Sequence, residues 1–188
     1  VDVDRFPLAR SYEDVVDALS ALYQEDHDFQ TVVLDTIDWL EPLVWAKTSQ
    51  THSKDSIEEF GYGKGYVYAL DWWRQILTGL TALRDERNMQ VIMISHCQIR
   101  TFQNPETEPY DRYEVKLHKS AAALVEEYAD IIGFANYKIL LKQSDAGFGK
   151  TKSRPVGEPE RWLYLSERPA FVAKNRMSLP DSVPFRWA

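Results

Sequence analysis

At 188 residues the chain is long enough for one α/β domain with a sizeable core, and its 44% hydrophobic and 27% charged residues are ordinary for a folded globular protein. A formal net charge of −7 excludes a surface uniformly attractive to nucleic acid and confines any such contact to particular loops. The single cysteine, Cys97, excludes an internal disulfide, and no apolar run has the length of a membrane-spanning helix. A soluble, cytoplasmic protein without a membrane partner is expected. The amino end, Val1-Asp2-Val3-Asp4-Arg5, lacks both the basic region and the apolar core of a secretory signal. Its first residues already read as the interior of a fold, so an amino-terminal piece is expected to be absent.

Ser11 with Asp14 forms a capping box, and Val15, Val16, Leu19, Leu22 and Tyr23 recur behind it at helical spacing, which predicts a first helix over about 12–23. Thr31-Val32-Val33-Leu34-Asp35 is a short β-branched run, read as a buried parallel strand with Asp35 at its carboxyl end and a second acid, Asp38, close behind. Leu70, Trp73, Ile76, Leu77, Leu80 and Leu83 mark a second amphipathic helix that ends near Arg87-Asn88. Gln90-Val91-Ile92-Met93-Ile94-Ser95 then reads as another apolar strand, followed by His96. Strand, helix, strand in this order predicts a βαβ unit with a parallel sheet, and it places Asp35 and His96 at one ligand-binding edge. Ser120 is placed as the cap of a helix over 121–129, with an apolar strand over 130–135 as a third repeat.

Beyond that strand the period changes. Residues 138–142 and 161–166 read as strands flanking a loop that bears Gly and Lys, and Ala170-Phe171-Val172-Ala173 as a further short strand. Hairpin pairing suits this tail better than another crossover helix. No repeat, low-complexity tract or linker interrupts the chain, which predicts a single domain over 1–188. The polar stretches 48–64 and 98–116 read as functional loops. Trp72-Trp73 and the Trp39/Trp45 pair sit on predicted helices at packing spacing and are assigned to core or subunit interface. The expected fold is α/β, a mostly parallel sheet flanked by helices with an antiparallel carboxyl-terminal hairpin.

Gly149-Lys150-Thr151 invites assignment as a phosphate loop, but the G-x-x-x-x-G-K-[ST] pattern then finds Ser144 where its first glycine belongs. A phosphate loop must also open a helix, whose first N–H groups face the phosphates. Pro155, Gly157 and Pro159 forbid a helix there, and the loop would follow the Asp35 strand rather than precede it. A basic hairpin tip is the expected structure.

Asp35, with Thr36 beside it, stands where an open α/β sheet binds ligands and suits a Mg²⁺ that accompanies a nucleotide; the alternative is an aspartate that merely caps the next helix. His96 at its strand end is placed either to donate a hydrogen bond to a γ-phosphate or to satisfy backbone at the sheet edge. No paired C-x-x-C or H-x-x-x-H spacing supports a zinc site. Lys174 and Arg176 alternate, so on a strand both would face one way and suit a phosphate, while a charged strand end is the plainer alternative. Arg100, Phe102 and Arg112 in one loop, with Lys150, Lys152 and Arg154 at the hairpin tip, offer cations and an aromatic platform for single-stranded DNA.

The loop Gln98-Ile99-Arg100-Thr101-Phe102 directly after His96 resembles the RecA-type segment in which a sensor residue ends a strand and a DNA-binding loop follows. Lys174-Asn175-Arg176 resembles the Lys-Asn-basic motif of the same family. Together with Phe60-Gly61-Tyr62-Gly63-Lys64-Gly65-Tyr66 and Pro109-Tyr110-Asp111-Arg112-Tyr113, these motifs make the chain similar to the phage RecA-like ATP-binding proteins of single-strand annealing and recombination. The resemblance implies a RecA-like P-loop NTPase core and an ATPase that uses ATP and Mg²⁺. It further implies a homo-oligomer whose Lys174 and Arg176 reach a neighbour's nucleotide, coupling to single-stranded DNA, and a bacterial host cytoplasm. The strand, phosphate loop and helix that open that family's domain are not found in these residues, so the chain alone is expected to hydrolyse ATP poorly or not at all. A non-catalytic DNA-binding or assembly module, and a P-loop kinase acting on a small metabolite, are the alternatives.

Overall fold

A computed structural model describes residues 3–138, 140–145, 151–156 and 160–186. The chain forms two compact units, one of Val1–Gln98 with Val115–Tyr128 and one of Ile99–Glu114 with Ala129–Ala188, although no change of composition marks the division. No described helix is long and apolar enough to cross a membrane.

The first unit opens with α1 (Tyr12–Gln24), and both halves of the predicted Ser11/Asp14 capping box are present. Next come β1 (Thr31–Asp35), α2 (Ile37–Thr51), a 3-10 turn over Ile57–Phe60, α3 (Lys64–Glu86) and β2 (Gln90–Ile94), and α4 (Lys119–Tyr128) closes the unit. β1 and β2 pair in parallel with Thr31 opposite Gln90 and Asp35 opposite Ile94, as the strand, helix, strand order predicted. The intervening chain holds two helices, because the β1 run passes almost directly into α2. Val32 on the inner face of β1 joins a core with Leu19, Leu40, Val44, Trp73, Leu80 and Leu83. The outer face is bare: Val33, Ile92 and Ile94 are 50%, 45% and 42% exposed. Parallel strands ordinarily bury both faces.

Two glycines shape the entry to α3. Gly63 caps the helix in the left-handed region at φ 70°, where a side chain would be strained. A Cβ on Gly65 would lie 2.4 Å from the Ile57 carbonyl oxygen and 2.8 Å from the Phe60 ring, so the helix rests on the 3-10 turn only because no side chain intervenes. Gly65→Ala should therefore destabilise this unit by about 1–3 kcal/mol, seen as a lower urea midpoint. An unchanged midpoint would mean that helix and turn separate freely.

α4 starts two residues before the expected position. Ser120 lies inside the helix rather than capping it, and the His118 carbonyl accepts from the Ala122 N–H at 2.9 Å.

In the second unit β3 (Cys97–Phe102), which enters from the first, pairs with β4 (Tyr110–Val115). The remaining strands are β5 (Ile131–Ile132), β6 (Phe134–Tyr137), β7 (Leu140–Asp145), β8 (Thr151–Val156), β9 (Arg161–Tyr164), β10 (Lys174–Asn175) and β11 (Ser182–Pro184). Here the expectation of a mostly parallel sheet fails: among the described strand pairs with a known register, only β1 with β2 is parallel. The predicted third parallel strand breaks at Gly133 into β5 and β6, which pair antiparallel with β10 and β9 respectively. A Cβ on Gly133 would meet Leu163 Cδ1 at 2.7 Å. The expected strand over 170–173 is reduced to single bridges from Phe171 to Tyr113 and Arg168, and the true strand begins at Lys174. Phe171 stacks on Phe134 at 4.6 Å and, with Tyr113 and Tyr164 around it, forms the aromatic core of this unit.

An antiparallel hairpin is present, but its strands are β7 and β8: residues 151–156, expected in the loop, form the second strand, and the strand expected over 161–166 is β9, which pairs instead with β6 and β11. Gly149 and Lys150 lie outside the described residues. Thr151 opens a strand rather than a helix, which agrees with rejecting Gly149-Lys150-Thr151 as a phosphate loop.

Candidate functional site

β1 delivers Asp35 to the polar edge of the first unit, and the Asp35–Thr36 peptide that links it to α2 is cis. The Asp35 carboxylate is exposed and makes no hydrogen bond or ion pair with any described residue. An aspartate spent on capping would show such a bond; α2 instead has Thr36 at its cap position, with no side-chain cap bond. The Thr36 hydroxyl oxygen is buried with no partner in good geometry among the described residues, although it lies near enough to Asp38 to favour the ionised carboxylate.

Two further acids in the first turns of α2 organise the edge. Asp38 accepts two bonds from His96, from the main-chain N–H at 3.1 Å and from the imidazole Nδ1 at 2.9 Å. Its side chain is 3% exposed, whereas that of His96 is 61% exposed. Burial opposes ionisation of Asp38, but the Thr36 hydroxyl, the His96 main-chain N–H and the imidazole outweigh it and hold the carboxyl below the usual range. Glu41, also buried, accepts the His118 N–H with both oxygens at 3.0 Å. α2 thus ties down the chain after β2 and the chain entering α4. The Lys116 N–H donates to the His96 carbonyl at 3.0 Å, and Gln98 Nε2 donates to the Val115 carbonyl at 3.1 Å.

The His118 ring stacks on Tyr66 at 4.0 Å. The Tyr66 hydroxyl donates to Glu58; that bond, with desolvation and the negative charges of Glu58 and Glu41, raises its pKa. Tyr66 is therefore a neutral donor at physiological pH. Reading the sequence for function passes over Asp38 and Glu41. Their signal is two acids at i and i+3 on a helix that directly follows a β-branched strand, a spacing that puts both on one face.

The open Asp35 carboxylate suits a Mg²⁺ that takes most of its ligands from water and phosphate. No group of three or more His, Cys, Asp or Glu that could hold a metal by itself exists among the described residues.

The other sequence-selected residues lie in the second unit. Lys174 is on β10 opposite Ile132, but the strand ends at Asn175, so the expected alternation of Lys174 and Arg176 on one strand does not extend to Arg176. Arg176 pairs with Asp130 at 3.3 Å and gives its N–H to the Asp130 carbonyl at 3.1 Å. Asn175 Oδ1 accepts from the Met177 and Leu179 N–H groups, so the middle residue of the motif shapes the turn that follows.

Arg100 is half-buried and Phe102 lies beneath the Arg112 guanidinium at 4.8 Å. Arg112, expected as a DNA contact, is buried and pairs with Glu167 at 2.9 Å and with Glu114 at 3.7 Å. Its charge is committed to the hairpin. Lys152 and Arg154 occupy β8 opposite Ser144 and Lys142.

Arg112→Ala should cost the second unit about 2 kcal/mol, a value reduced from that of a fully buried pair because Glu167 remains wet. Chemical denaturation checks this. Unchanged stability with a large loss of single-stranded DNA affinity would instead make Arg112 a DNA contact.

A family model described as an AAA domain matches residues 1–177. No curated protein and no solved structure matches the chain.

Proposed function

The chain belongs to the AAA domain family, and from that premise we propose that it is the RecA-like ATPase core of a phage-type recombination or single-strand annealing protein. Membership makes it a nucleotide-binding, P-loop ATPase-like α/β domain, and AAA-type domains use ATP, generally with Mg²⁺. The observation that carries the site assignment is the Asp35 carboxylate, without a partner among the described residues, at the end of a parallel strand and on the same edge as the anchored His96.

In this reading Asp35 holds the cation, Thr36 stands beside it on the nucleotide side, and His96 reads the terminal phosphate. Mg²⁺, when bound, neutralises charge on the β- and γ-phosphates. Lys174 and Arg176 act in trans across an oligomer interface, which requires Arg176 to leave Asp130 for the neighbour's phosphate. The Asp35 strand needs a glycine-rich loop to cradle the phosphates, and Gly149-Lys150-Thr151 is excluded by the strand that Thr151 opens. The bare face formed by Val33, Ile92 and Ile94 supports a further strand and helix packed there and carrying that loop. Arg100, Phe102, Lys150, Lys152 and Arg154 remain the DNA-facing set. Strand β3, which carries Arg100 and Phe102, directly follows His96, so loss of the phosphate contact is transmitted to it through a short piece of chain.

Single-stranded DNA affinity of the complete protein, measured with ATP, with ADP and without nucleotide, tests the coupling. The ATP form should bind at least several-fold differently from the other two. Equal affinities in all three states would favour a DNA-binding or assembly module that keeps the fold without using the nucleotide.

A further inference from the structure

The Asp38–His96 pair carries an assignment that the sequence does not reach. Asp38 is buried, is held in its ionised form, and spends both oxygens on one residue. An ionised carboxylate only accepts hydrogen bonds, so the imidazole nitrogen facing it must carry a proton. That nitrogen is Nδ1. A neutral ring protonated on Nδ1 has a bare lone pair on Nε2, and the exposed His96 side chain offers that lone pair to whatever reaches the sheet edge. The main-chain bond to Oδ1 fixes the backbone of the same residue, so position and tautomer are set by one side chain.

We propose that Asp38 is a positioning residue that locks His96 in the Nδ1–H tautomer, so that a phosphate contact through Nε2 requires the ring to take up a second proton. The assignment rests on the reading of His96 as the residue that meets the terminal phosphate. A phosphate oxygen only accepts, so a neutral Nε2 repels it and an imidazolium Nε2–H donates to it. The proton comes from solvent, and the resulting cation lies between two anions, Asp38 at Nδ1 and the phosphate at Nε2. Binding of the triphosphate is then coupled to the uptake of one proton by the ring. From α2 the charged group facing the ring is Asp38. Asp35 at the end of β1 and Cys97 at the start of β3 are the other titratable groups at this edge, and from the β4 side Lys116 meets His96 through its main-chain N–H.

Nitrogen-15 NMR of histidine-labelled complete protein tests this, with His96→Gln identifying the His96 signals among the 4 histidines. With its ring neutral, His96 should show a protonated Nδ1 and a bare Nε2. Asp38→Asn should move it toward the Nε2–H form, and saturating Mg·ATP should protonate Nε2 of the unmodified protein. An Nε2–H ring in the unmodified protein, or the same tautomer in Asp38→Asn as in the unmodified protein, would overturn the assignment. The unmodified spectrum decides even if Asp38→Asn fails to fold. A locked Nδ1–H ring whose Nε2 stays bare when Mg·ATP is bound would overturn the proton coupling. A locked ring in a protein that does not bind Mg·ATP would support Asp38 as the positioning residue and defeat the nucleotide reading instead.

Discussion

Asp35→Ala should lower ATP turnover by the complete protein about a hundredfold or more, the scale seen when one preorganised electrostatic contact to a reacting centre is removed, while leaving the fold intact. The two halves of this expectation have separate causes. Asp35 ends a strand whose inward residue Val32 contributes to the core, but its own carboxylate is exposed and pairs with no described residue. Exposed side chains without partners change stability by no more than about 0.5 kcal/mol when replaced. The variant should therefore unfold at the same denaturant concentration as the parent and fail only in turnover. Undiminished turnover would remove the cation from Asp35. Loss of turnover together with loss of stability would show a structural carboxylate, of the kind found in Asp38 and Glu41.

Trp73→Ala should destabilise the first unit by about 3–5 kcal/mol, the range for deleting a large buried aromatic, whereas Trp39→Ala should change stability by about 0.5 kcal/mol or less. Trp73 is 1% exposed and sits among the α3 core residues; Trp39 is 73% exposed. Paired urea melts would show the difference directly, and equal midpoints for the two variants would contradict the placement of the core. The sequence treats both as helical tryptophans at packing spacing, and only one is buried. The buried stripe of α2 is Ile37, Leu40, Glu41, Val44 and Thr48, which keeps helical spacing but includes polar residues. Trp39 stands across the helix from Ile37. Hydrophobicity alone therefore selects the wrong face, because Glu41 is held inside by the His118 N–H.

The same comparison shows what is legible in the sequence elsewhere. α1, β1, β2 and the end of α3 are strongly patterned, and their own spacing places them within a few residues of where they lie, whereas α3 begins at Lys64, six residues before Leu70. The Asp35 edge follows from that pattern, because a parallel strand must present its carboxyl end beside its neighbour's. The partner of His96 is not readable in this way. Asp38 is 58 residues away, and only the folded sheet and helix bring them together. The second unit is less legible still. Strands as short as Ile131–Ile132 and Lys174–Asn175 carry no period, and their pairing depends on Gly133 and on the turn that Asn175 builds. Arg112 shows the limit for charge: an arginine beside an aromatic in a polar loop suits DNA stacking, yet here the same chemistry closes on Phe102 and Glu167.

The most direct measurement is equilibrium binding of a fluorescent ATP analogue to the complete protein and to its Asp35→Ala variant, each with and without Mg²⁺. The unmodified protein should bind more tightly when Mg²⁺ is present, and the variant should bind weakly with no response to the cation. Equal, Mg²⁺-independent binding by both proteins would contradict a nucleotide–metal site at Asp35.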